Sequence, residues 1–176
     1  MAGRLLLGVT GGIAAYKAAE IASGARKSGW EVRVTMTPDA TRFIGAVTFE
    51  ALTGHRVLLD TFTHDGAIDH IAWARWPTVA LVAPCTAHTL ARLALGLADD
   101  ALASTWLALN PNVRRVIAPA MNPSMWAHPA VQAHAATLKS WGMVFVEPVD
   151  KVVACGESGV GGLADVEHIL DVALAH

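Results

Sequence analysis

The stretch Pro119-Ala120-Met121-Asn122-Pro123-Ser124-Met125-Trp126 contains side chains suited to holding a ligand. It follows an apolar run, Val113 to Ala118, that is typical of a buried strand. The Asn122 amide can donate hydrogen bonds without carrying a charge. Two methionines, an asparagine and a tryptophan at this spacing would be an unusual choice for a plain loop. We therefore predict that the stretch lines a functional site.

Glycine and threonine residues follow two other predicted strands. Thr10-Gly11-Gly12-Ile13 comes after the run Arg4 to Val9, and its glycines allow backbone N–H groups to approach a phosphate. The same residues suit an ordinary tight turn, because the spacing is neither that of a P-loop nor that of a full dinucleotide fingerprint. Thr37, at the end of a later strand, is likewise either a helix cap or a phosphate ligand.

A third segment, Ala83-Pro84-Cys85-Thr86-Ala87-His88-Thr89, closes a buried strand and opens a helix. Small hydroxyl-bearing residues at the carboxyl end of a strand are well placed for a cofactor. Thr86 can equally serve only as the N-cap of the helix. Cys85 is predicted to be a small buried residue.

Composition excludes several classes of function. The net charge is -2 with 13 Lys and Arg residues, which leaves no basic patch for nucleic acid or an anionic membrane. The two cysteines cannot build a disulfide framework or a zinc site, and the eight histidines show no i, i+4 pair, so no metal is expected. No apolar run of about 18 residues or signal-peptide core is present, which predicts a cytoplasmic protein. Because 53% of the residues are hydrophobic, we expect some apolar surface to meet other subunits.

The order of the elements predicts one α/β domain, residues 1–176, with a doubly wound parallel sheet in a flavodoxin-like or Rossmann-like three-layer sandwich. Val149 to Gly162 is predicted to be a long, glycine-rich loop, a type of segment that is often functional. The predicted strands are Arg4 to Val9, Glu31 to Met36, Val79 to Ala83, Val113 to Ala118 and Met143 to Val146, and the predicted helices are Ala14 to Ser28, Thr86 to Leu95, Asp100 to Leu109, about Pro129 to Trp141, and Asp165 to Ala175.

These motifs together resemble the flavin-containing cysteine decarboxylases. The Pro119 to Trp126 stretch matches their P-x-M-N-x-x-M-W pattern at every fixed position. Pro84 to Thr89 and Gly96 to Asp100 are similar to their P-x-T-A-N-T and G-I-A-D-D segments, and Asp69-His70-Ile71 with Arg75-Trp76 is similar to H-I-x-L-x-R-W. The resemblance covers Leu5 to about Leu170. It implies FMN bound at a subunit interface of a trimer or a trimer-based assembly such as a dodecamer.

The resemblance also implies roles for single residues. His70 carries over as the catalytic histidine, Asn122 as the residue that grips the substrate carboxylate, and Met125 as a substrate contact. Arg75 is either a partner for the anionic tail of the substrate or an ordinary surface arginine. The positions at which the family holds FMN, chiefly its ribityl phosphate, correspond to Gly11, Gly12, Ile13, Thr37, Thr86, Ala87, His88, Thr89 and Ala120.

Cys155 bears on the choice of substrate within the family. Ala154-Cys155-Gly156-Glu157-Ser158-Gly159 resembles A-C-G-D-x-G, in which the cysteine donates a proton during reduction of an enethiol. The implied reaction converts 4'-phosphopantothenoylcysteine to 4'-phosphopantetheine in coenzyme A biosynthesis: FMN oxidises the thiol to a thioaldehyde, CO2 leaves, and the enethiol is reduced again. Two alternatives are a decarboxylase acting on the C-terminal cysteine of a peptide and a non-catalytic regulatory flavoprotein.

The chain departs from the family pattern at three places. His88 stands where asparagine is usual, and Pro77-Thr78 stands where Ala-Asp is common. Gly161-Gly162-Leu163 replaces G-R-M, so that an arginine is missing from the segment after the cysteine. Bifunctional bacterial members continue into a synthetase domain near the position of His176. The chain is therefore either a monofunctional decarboxylase or one domain of a larger protein, and a synthetase domain or partner is an open alternative.

Overall fold

A parallel five-stranded sheet, in the order β2-β1-β3-β4-β5, forms the centre of the computed structural model, which describes residues 2–62, 69–152, 154 and 156–175. A separate antiparallel pair, β6-β7, lies outside this sheet. The strands are β1 (Arg4–Val9), β2 (Glu31–Met36), β3 (Val79–Cys85), β4 (Arg114–Pro119), β5 (Val144–Phe145), β6 (Val149–Val152) and β7 (Ser158–Gly162).

Helices connect the parallel strands and cover both faces of the sheet. Short 3-10 helices at Ile13–Tyr16 and Pro38–Arg42 follow β1 and β2. The α-helices are α1 (Lys17–Lys27), α2 (Ala46–Thr53), α3 (Asp69–Arg75), α4 (Ala87–Leu95), α5 (Ala101–Leu107), α6 (Pro123–Ala127), α7 (Pro129–Ser140) and α8 (Val166–Leu174).

Alternate side chains of β1 enter two different cores, because successive residues of a strand point to opposite faces. Leu5 and Leu7 are fully buried among residues of α1 and α8, including Ile21 and Ile169. Leu6 packs in the core that α4, α5 and α7 cover on the opposite face. A sheet buried on both faces needs continuous apolar strands, and β3 is buried at every position.

The predicted three-layer α/β sandwich is confirmed. Strands β1 and β2 have the predicted bounds, and the other three parallel strands differ from prediction by a few residues at their ends. The five predicted helices are present, although the first begins as a 3-10 turn, at Ile13–Tyr16. Helices α2, α3 and α6, each of eight residues or fewer, were not predicted.

The prediction of a long loop from Val149 to Gly162 is wrong at both ends of the segment. Val149–Val152 and Ser158–Gly162 pair as an antiparallel hairpin. Its second strand, Ser-Gly-Val-Gly-Gly, has little of the β-branched or aromatic content by which strands are recognised. The hairpin instead packs on the segment after β4, where the Met121 N–H donates to the Gly161 carbonyl at 2.8 Å.

The carboxyl ends of three neighbouring strands are tied together by hydrogen bonds. The buried Thr10 hydroxyl donates to the Pro84 carbonyl at 2.6 Å and accepts from the Thr86 N–H at 3.1 Å. The Ala120 N–H donates to the Cys85 carbonyl at 3.0 Å. These bonds fix the segments that follow β1, β3 and β4 at one edge of the sheet. Of the helices in the described part of the chain, none has the length and apolar character needed to cross a bilayer.

Candidate active site

A cavity of about 810 Å³ opens at the carboxyl edge of the sheet. This volume falls within the range of about 300–1,000 Å³ that is usual for sites of small ligands and cofactors. Open α/β sheets bind ligands at this edge. The walls are formed by four groups of residues: Gly11, Gly12, Ile13, Ala14, Tyr16 and Lys17 after β1; Thr37, Pro38 and Asp39 after β2; Pro84 within β3 and Thr86–Thr89 after it, with Arg92, Asp99 and Asp100; and Ala120–Asn122 and Met125 after β4, with Lys151, Val152, Ala154 and Gly161–Leu163 of the hairpin segment.

The N-terminus of α4 meets the cavity with two hydroxyl groups. Thr86 is the N-cap, and its Oγ1 accepts from the Thr89 N–H at 3.3 Å. The two threonine hydroxyls lie 3.2 Å apart, and Ala87 and His88 of the first turn also line the cavity. Thr86 thus has the capping role that the sequence left open, and it is also on the cavity wall. A helix N-terminus with hydroxyl groups favours an anion.

Gly11 allows the turn after β1 to pack against the turn after β2. A β-carbon on Gly11 would lie 2.5 Å from Asp39 Cβ and 2.9 Å from the Asp39 carbonyl carbon. Gly12, in contrast, has room for a side chain, since its nearest neighbour would be Thr86 Cγ2 at 3.6 Å. The tight-turn interpretation therefore holds for Gly11, and both glycines line the cavity.

Thr37 also joins a structural role to a position on the wall. Its Oγ1 accepts from the Ala40 N–H at 3.3 Å and caps the 3-10 helix Pro38–Arg42. The residue is 6% exposed and borders the cavity.

The Asn122 side chain is oriented by the helix that it caps. Its Oδ1 accepts from the Ser124 N–H at 2.8 Å and the Met125 N–H at 3.4 Å, at the start of α6. The Nδ2 group donates to Glu157 Oε2 at 2.6 Å. The oxygen is thus engaged by the cap, and the amide group faces a carboxylate. Ala120 and Met125, both predicted site residues, line the same cavity.

His70 and Arg75 do not line the cavity of this chain. Both belong to α3, and Arg75 is exposed. His70 is half-buried, and its Nδ1 is buried without a hydrogen-bond partner among the described residues. Cys155 lies outside the described residues, although its neighbour Ala154 borders the cavity.

Cys85 is fully buried, as predicted. Burial in apolar surroundings raises the pKa of its thiol, because the charged thiolate would lose its hydration. This disfavours the reactive thiolate, and the thiol donates a hydrogen bond to the Thr86 carbonyl at 3.7 Å. Within the described part of the chain, no cluster of three or more His, Cys, Asp or Glu side chains could hold a metal ion.

Sequence reasoning missed an ion-pair network beside the cavity. The Arg92 guanidinium donates to Asp100 Oδ2 at 2.7 Å and also pairs with Asp99. Hydrogen bonding from Arg92 lowers the pKa of the Asp99 carboxyl. Asp100 uses its other oxygen, Oδ1, to accept from the Ala103 N–H at 2.8 Å and so caps α5. The adjacent aspartates Asp99 and Asp100 are visible in the sequence, but Arg92 precedes them by seven and eight residues, and no local pattern links it to them.

Comparison with known proteins identifies the family. Residues 2–176 match the Flavoprotein family, and the chain belongs to it. The Bacillus subtilis coenzyme A biosynthesis bifunctional protein CoaBC is 43% identical over 98% of this chain and 42% of its own length. A probable phosphopantothenoylcysteine decarboxylase of Streptococcus mutans is 41% identical over 97% of this chain and 96% of its own length.

Solved structures of relatives have the same fold. A PPC decarboxylase mutant complexed with pantothenoylaminoethenethiol superposes with a TM-score of 0.87, at 28% identity over 96% of this chain and 94% of that one. The FMN-dependent cysteine decarboxylase SpaF superposes with a TM-score of 0.83, at 35% identity over 97% of this chain and 94% of that one. The chain spans about two fifths of the length of the bifunctional CoaBC relatives.

Proposed function

We propose that this protein decarboxylates 4'-phosphopantothenoylcysteine to 4'-phosphopantetheine with FMN as cofactor. The proposal is supported by the identity to a phosphopantothenoylcysteine decarboxylase along nearly both full chains. It is also supported by the likeness to a decarboxylase structure that holds pantothenoylaminoethenethiol.

The observation that carries the proposal is the contact between the Asn122 amide and a carboxylate. Asn122 Nδ2 lies 2.6 Å from Glu157 Oε2 while its Oδ1 is held by the helix cap. The amide is therefore an oriented donor to a carboxylate, and Asn122 itself lines the cavity. A neutral donor suits a carboxylate that must leave as CO2, because a full positive charge would stabilise the ground state and oppose its loss.

The residues of the cavity fit FMN. The Gly11-Gly12 turn, the hydroxyl groups of Thr37, Thr86 and Thr89 and the N-terminus of α4 suit a phosphate. Ile13, Ala120 and Met121 offer apolar surface to a planar ring system. Bound FMN would accept two electrons from the substrate thiol and return them at the end of the cycle.

Three side chains would handle the substrate. Asn122 Nδ2 orients the carboxylate by donating to one of its oxygens. His70 accepts a proton as the thiol is oxidised, a role that suits imidazole near neutral pH. Cys155 donates the proton that reduction of the enethiol consumes, which regenerates a saturated thiol.

We further propose that a second copy of the chain completes the site, in a trimer or a trimer-based assembly. His70 lies away from the cavity of its own chain, so the proposed chemistry requires a histidine from a neighbour. Large apolar side chains at the cavity support this arrangement: Ile13, Tyr16 and Met125 are 62%, 55% and 48% exposed. Exposed apolar patches of this kind mark interaction surfaces. Arg75, which is exposed on the same helix as His70, would then be available to the anionic substrate.

Incubation of the purified, flavin-loaded protein with 4'-phosphopantothenoylcysteine tests the reaction. We expect release of CO2 and formation of 4'-phosphopantetheine, both measured by mass spectrometry. His70→Asn should block CO2 release, whereas Cys155→Ser should release CO2 and accumulate an enethiol that absorbs in the near ultraviolet. A flavin-loaded wild type without turnover would refute the proposal.

Two replacements of Asn122 separate its capping role from its binding role. Asn122→Asp retains the oxygen that caps α6 but removes the amide donor and adds a charge that repels the substrate. We expect kcat/KM to fall by about 100-fold. The stability change should be small, because the lost bond to Glu157 is exposed to solvent. Asn122→Ala removes the cap as well and should lower the free energy of unfolding by about 1 kcal/mol. An active Asn122→Asp variant would contradict the assigned role.

The surrounding pathway and location are also proposals. A synthetase, as a separate partner or an attached domain, would supply the cysteine conjugate, and the bifunctional CoaBC relatives support this link. We propose a cytoplasmic location, since only two cysteines are present and Cys85 is a buried free thiol, a pattern that suits a reducing compartment.

A further inference from the structure

The space beside Gly162 is filled by the side chain of Lys151 from the neighbouring strand. A β-carbon on Gly162 would lie 2.6 Å from Lys151 Cγ and 2.9 Å from Lys151 Cδ, and it would also overlap Cε. These distances are well inside van der Waals contact. The aliphatic part of Lys151 therefore occupies the volume into which a side chain at position 162 would extend.

Lys151 and Gly162 lie on the two paired strands of the hairpin, β6 and β7. Val149 pairs with Gly162 and Asp150 with Val160, so Gly161 is an extra residue in β7. The Gly161 carbonyl accepts from the Met121 N–H at 2.8 Å, which holds this part of the hairpin against the segment that carries Asn122. Lys151 and Asn122 consequently border the same cavity.

Lys151 lines the cavity, and its ammonium group is held by a second lining residue. Its Nζ donates to the carbonyl of Leu163, and both residues line the cavity. An ammonium group has three N–H donors, and a carbonyl neutralises none of its charge. Lys151 forms no ion pair with any residue that the structure describes. Arg92, which also lines the cavity, is paired with two carboxylates.

We propose that Lys151 binds an oxyanion of the substrate and supplies from β6 the positive charge that the G-R-M pattern of the resembled family would place at position 162, where this chain has glycine. This inference rests on the proposed function, because it requires an anionic thiol substrate in the cavity. Two groups of 4'-phosphopantothenoylcysteine qualify, its phosphate and its carboxylate. The phosphate is the better match, since a cation on the carboxylate would oppose the loss of CO2.

Lys151→Met tests the charge alone, because methionine keeps most of the aliphatic stem. With the flavin-loaded enzyme we expect KM to rise about tenfold or more with a much smaller change in kcat, since a hydrogen bond to a charged group is lost. Lys151→Arg should retain a KM near that of wild type. Lys139→Met is the matched control, because Lys139 lies on α7 and pairs with Glu147 instead of lining the cavity. Circular dichroism and flavin absorbance report whether each variant is folded.

Moving the positive charge from position 151 to position 162 tests whether Lys151 takes the place of an arginine at position 162. In Lys151→Ala/Gly162→Arg the lysine stem, which supplies the three atoms nearest to a β-carbon at position 162, is removed, and the arginine brings the charge back from β7. We expect this double variant to recover most of the affinity that Lys151→Ala loses. A double variant that binds the substrate as weakly as Lys151→Ala would contradict the inference that Lys151 takes the place of the arginine.

The unphosphorylated analogue pantothenoylcysteine identifies the oxyanion. If Lys151 holds the phosphate, Lys151→Met raises KM for the phosphorylated substrate only; if it holds the carboxylate, KM rises for both compounds. An unchanged KM for both would overturn the inference. Absence of turnover by the wild type with either compound is a different result, which refutes the proposed function itself.

Discussion

Glu157 occupies the donor that Asn122 would offer to a substrate. The contact is 2.6 Å long, and Glu157 follows Gly156, whose φ of +85° places it in the left-handed region favoured by glycine. A substrate carboxylate would therefore compete with Glu157 for the amide group. Glu157 is exposed, so the competing bond is formed in contact with water and is correspondingly weak.

Replacement of Glu157 by glutamine should consequently improve binding. Glu157→Gln keeps the shape of the side chain but offers only a neutral acceptor to Asn122, and neutral hydrogen bonds are weaker than charge-assisted ones. We expect KM to fall about threefold with kcat unchanged. Steady-state kinetics measure the effect, and Glu147→Gln, on a surface ion pair with Lys139, is the control. A higher KM would show that Glu157 assists substrate binding.

Cys85 should resist alkylation in the native protein. Alkylation requires the thiolate, and burial raises the pKa of the Cys85 thiol. We expect iodoacetamide at about pH 8 to leave Cys85 unmodified in the native protein and to label it fully in urea. Mass spectrometry of tryptic peptides measures the labelling at each cysteine. Native labelling of Cys85 as rapid as in urea would contradict the low reactivity expected of the buried thiol.

Helices α4 and α5 are joined by the Arg92 network. The side chains of Arg92 and Asp100 are 6% and 7% exposed, whereas that of Asp99 is 67% exposed. Breaking a buried pair leaves a charge without its partner, which is costly. Arg92→Met should therefore lower the free energy of unfolding by about 3 kcal/mol, measured by urea denaturation at neutral pH. Lys139→Met, which breaks a half-exposed pair, should cost less than about 1 kcal/mol.

The same network predicts how the free energy of unfolding changes with pH. Because Arg92 lowers the pKa of Asp99 in the folded state, its stabilisation is present above the unfolded carboxyl pKa of about 4. This stabilisation is lost as the pH falls through the lowered pKa that Asp99 has in the folded protein. Wild type should accordingly lose more stability than Arg92→Met on acidification from about pH 5 to pH 3. Equal losses in the two proteins would contradict the coupling.

The hairpin β6-β7 holds the Asn122 segment through a close backbone contact at Gly161. A β-carbon there would lie 2.5 Å from the Met121 carbonyl oxygen, which cannot move without displacing the segment. Gly161→Ala should lower the free energy of unfolding by about 2 kcal/mol and reduce kcat/KM. Gly45→Ala is the control, because its nearest side-chain neighbour would be 3.7 Å away. A fully active Gly161→Ala variant would show that the hairpin position does not matter for the site.

Local patterns predict the elements whose residues face a continuous core. Apolar runs predict β1, β3 and β4, and the positions of these strands bring Gly11, Thr86 and Asn122 to one edge of the sheet. The hairpin has no such pattern, since its two strands pair with each other outside the main sheet. Lys151 and Arg92 were missed for a related reason. Their placement depends on contacts with Gly162 and Asp100, which no periodicity reveals.

At the scale of the whole molecule, one chain does not bring all the predicted site residues to its own cavity. The cavity gathers the predicted cofactor residues, Asn122 and Met125, whereas His70 is elsewhere on α3. Its buried Nδ1 has no partner among the described residues. Exposed apolar residues such as Ile13 and Val152, the latter 68% exposed, border the cavity. An assembly in which α3 of one copy meets the cavity of the next would cover these residues and complete the site.

Subunit mixing tests this arrangement directly. His70→Asn and Asn122→Asp should each be inactive alone, because every site of either assembly lacks one essential side chain. In a co-expressed mixture, random association pairs an intact His70 with an intact Asn122 at about a quarter of the interfaces. We therefore expect the mixed oligomer to recover up to about a quarter of wild-type activity. Native mass spectrometry verifies that mixed oligomers form. Mixed oligomers without recovered activity would show that His70 does not act in the site of a neighbouring copy.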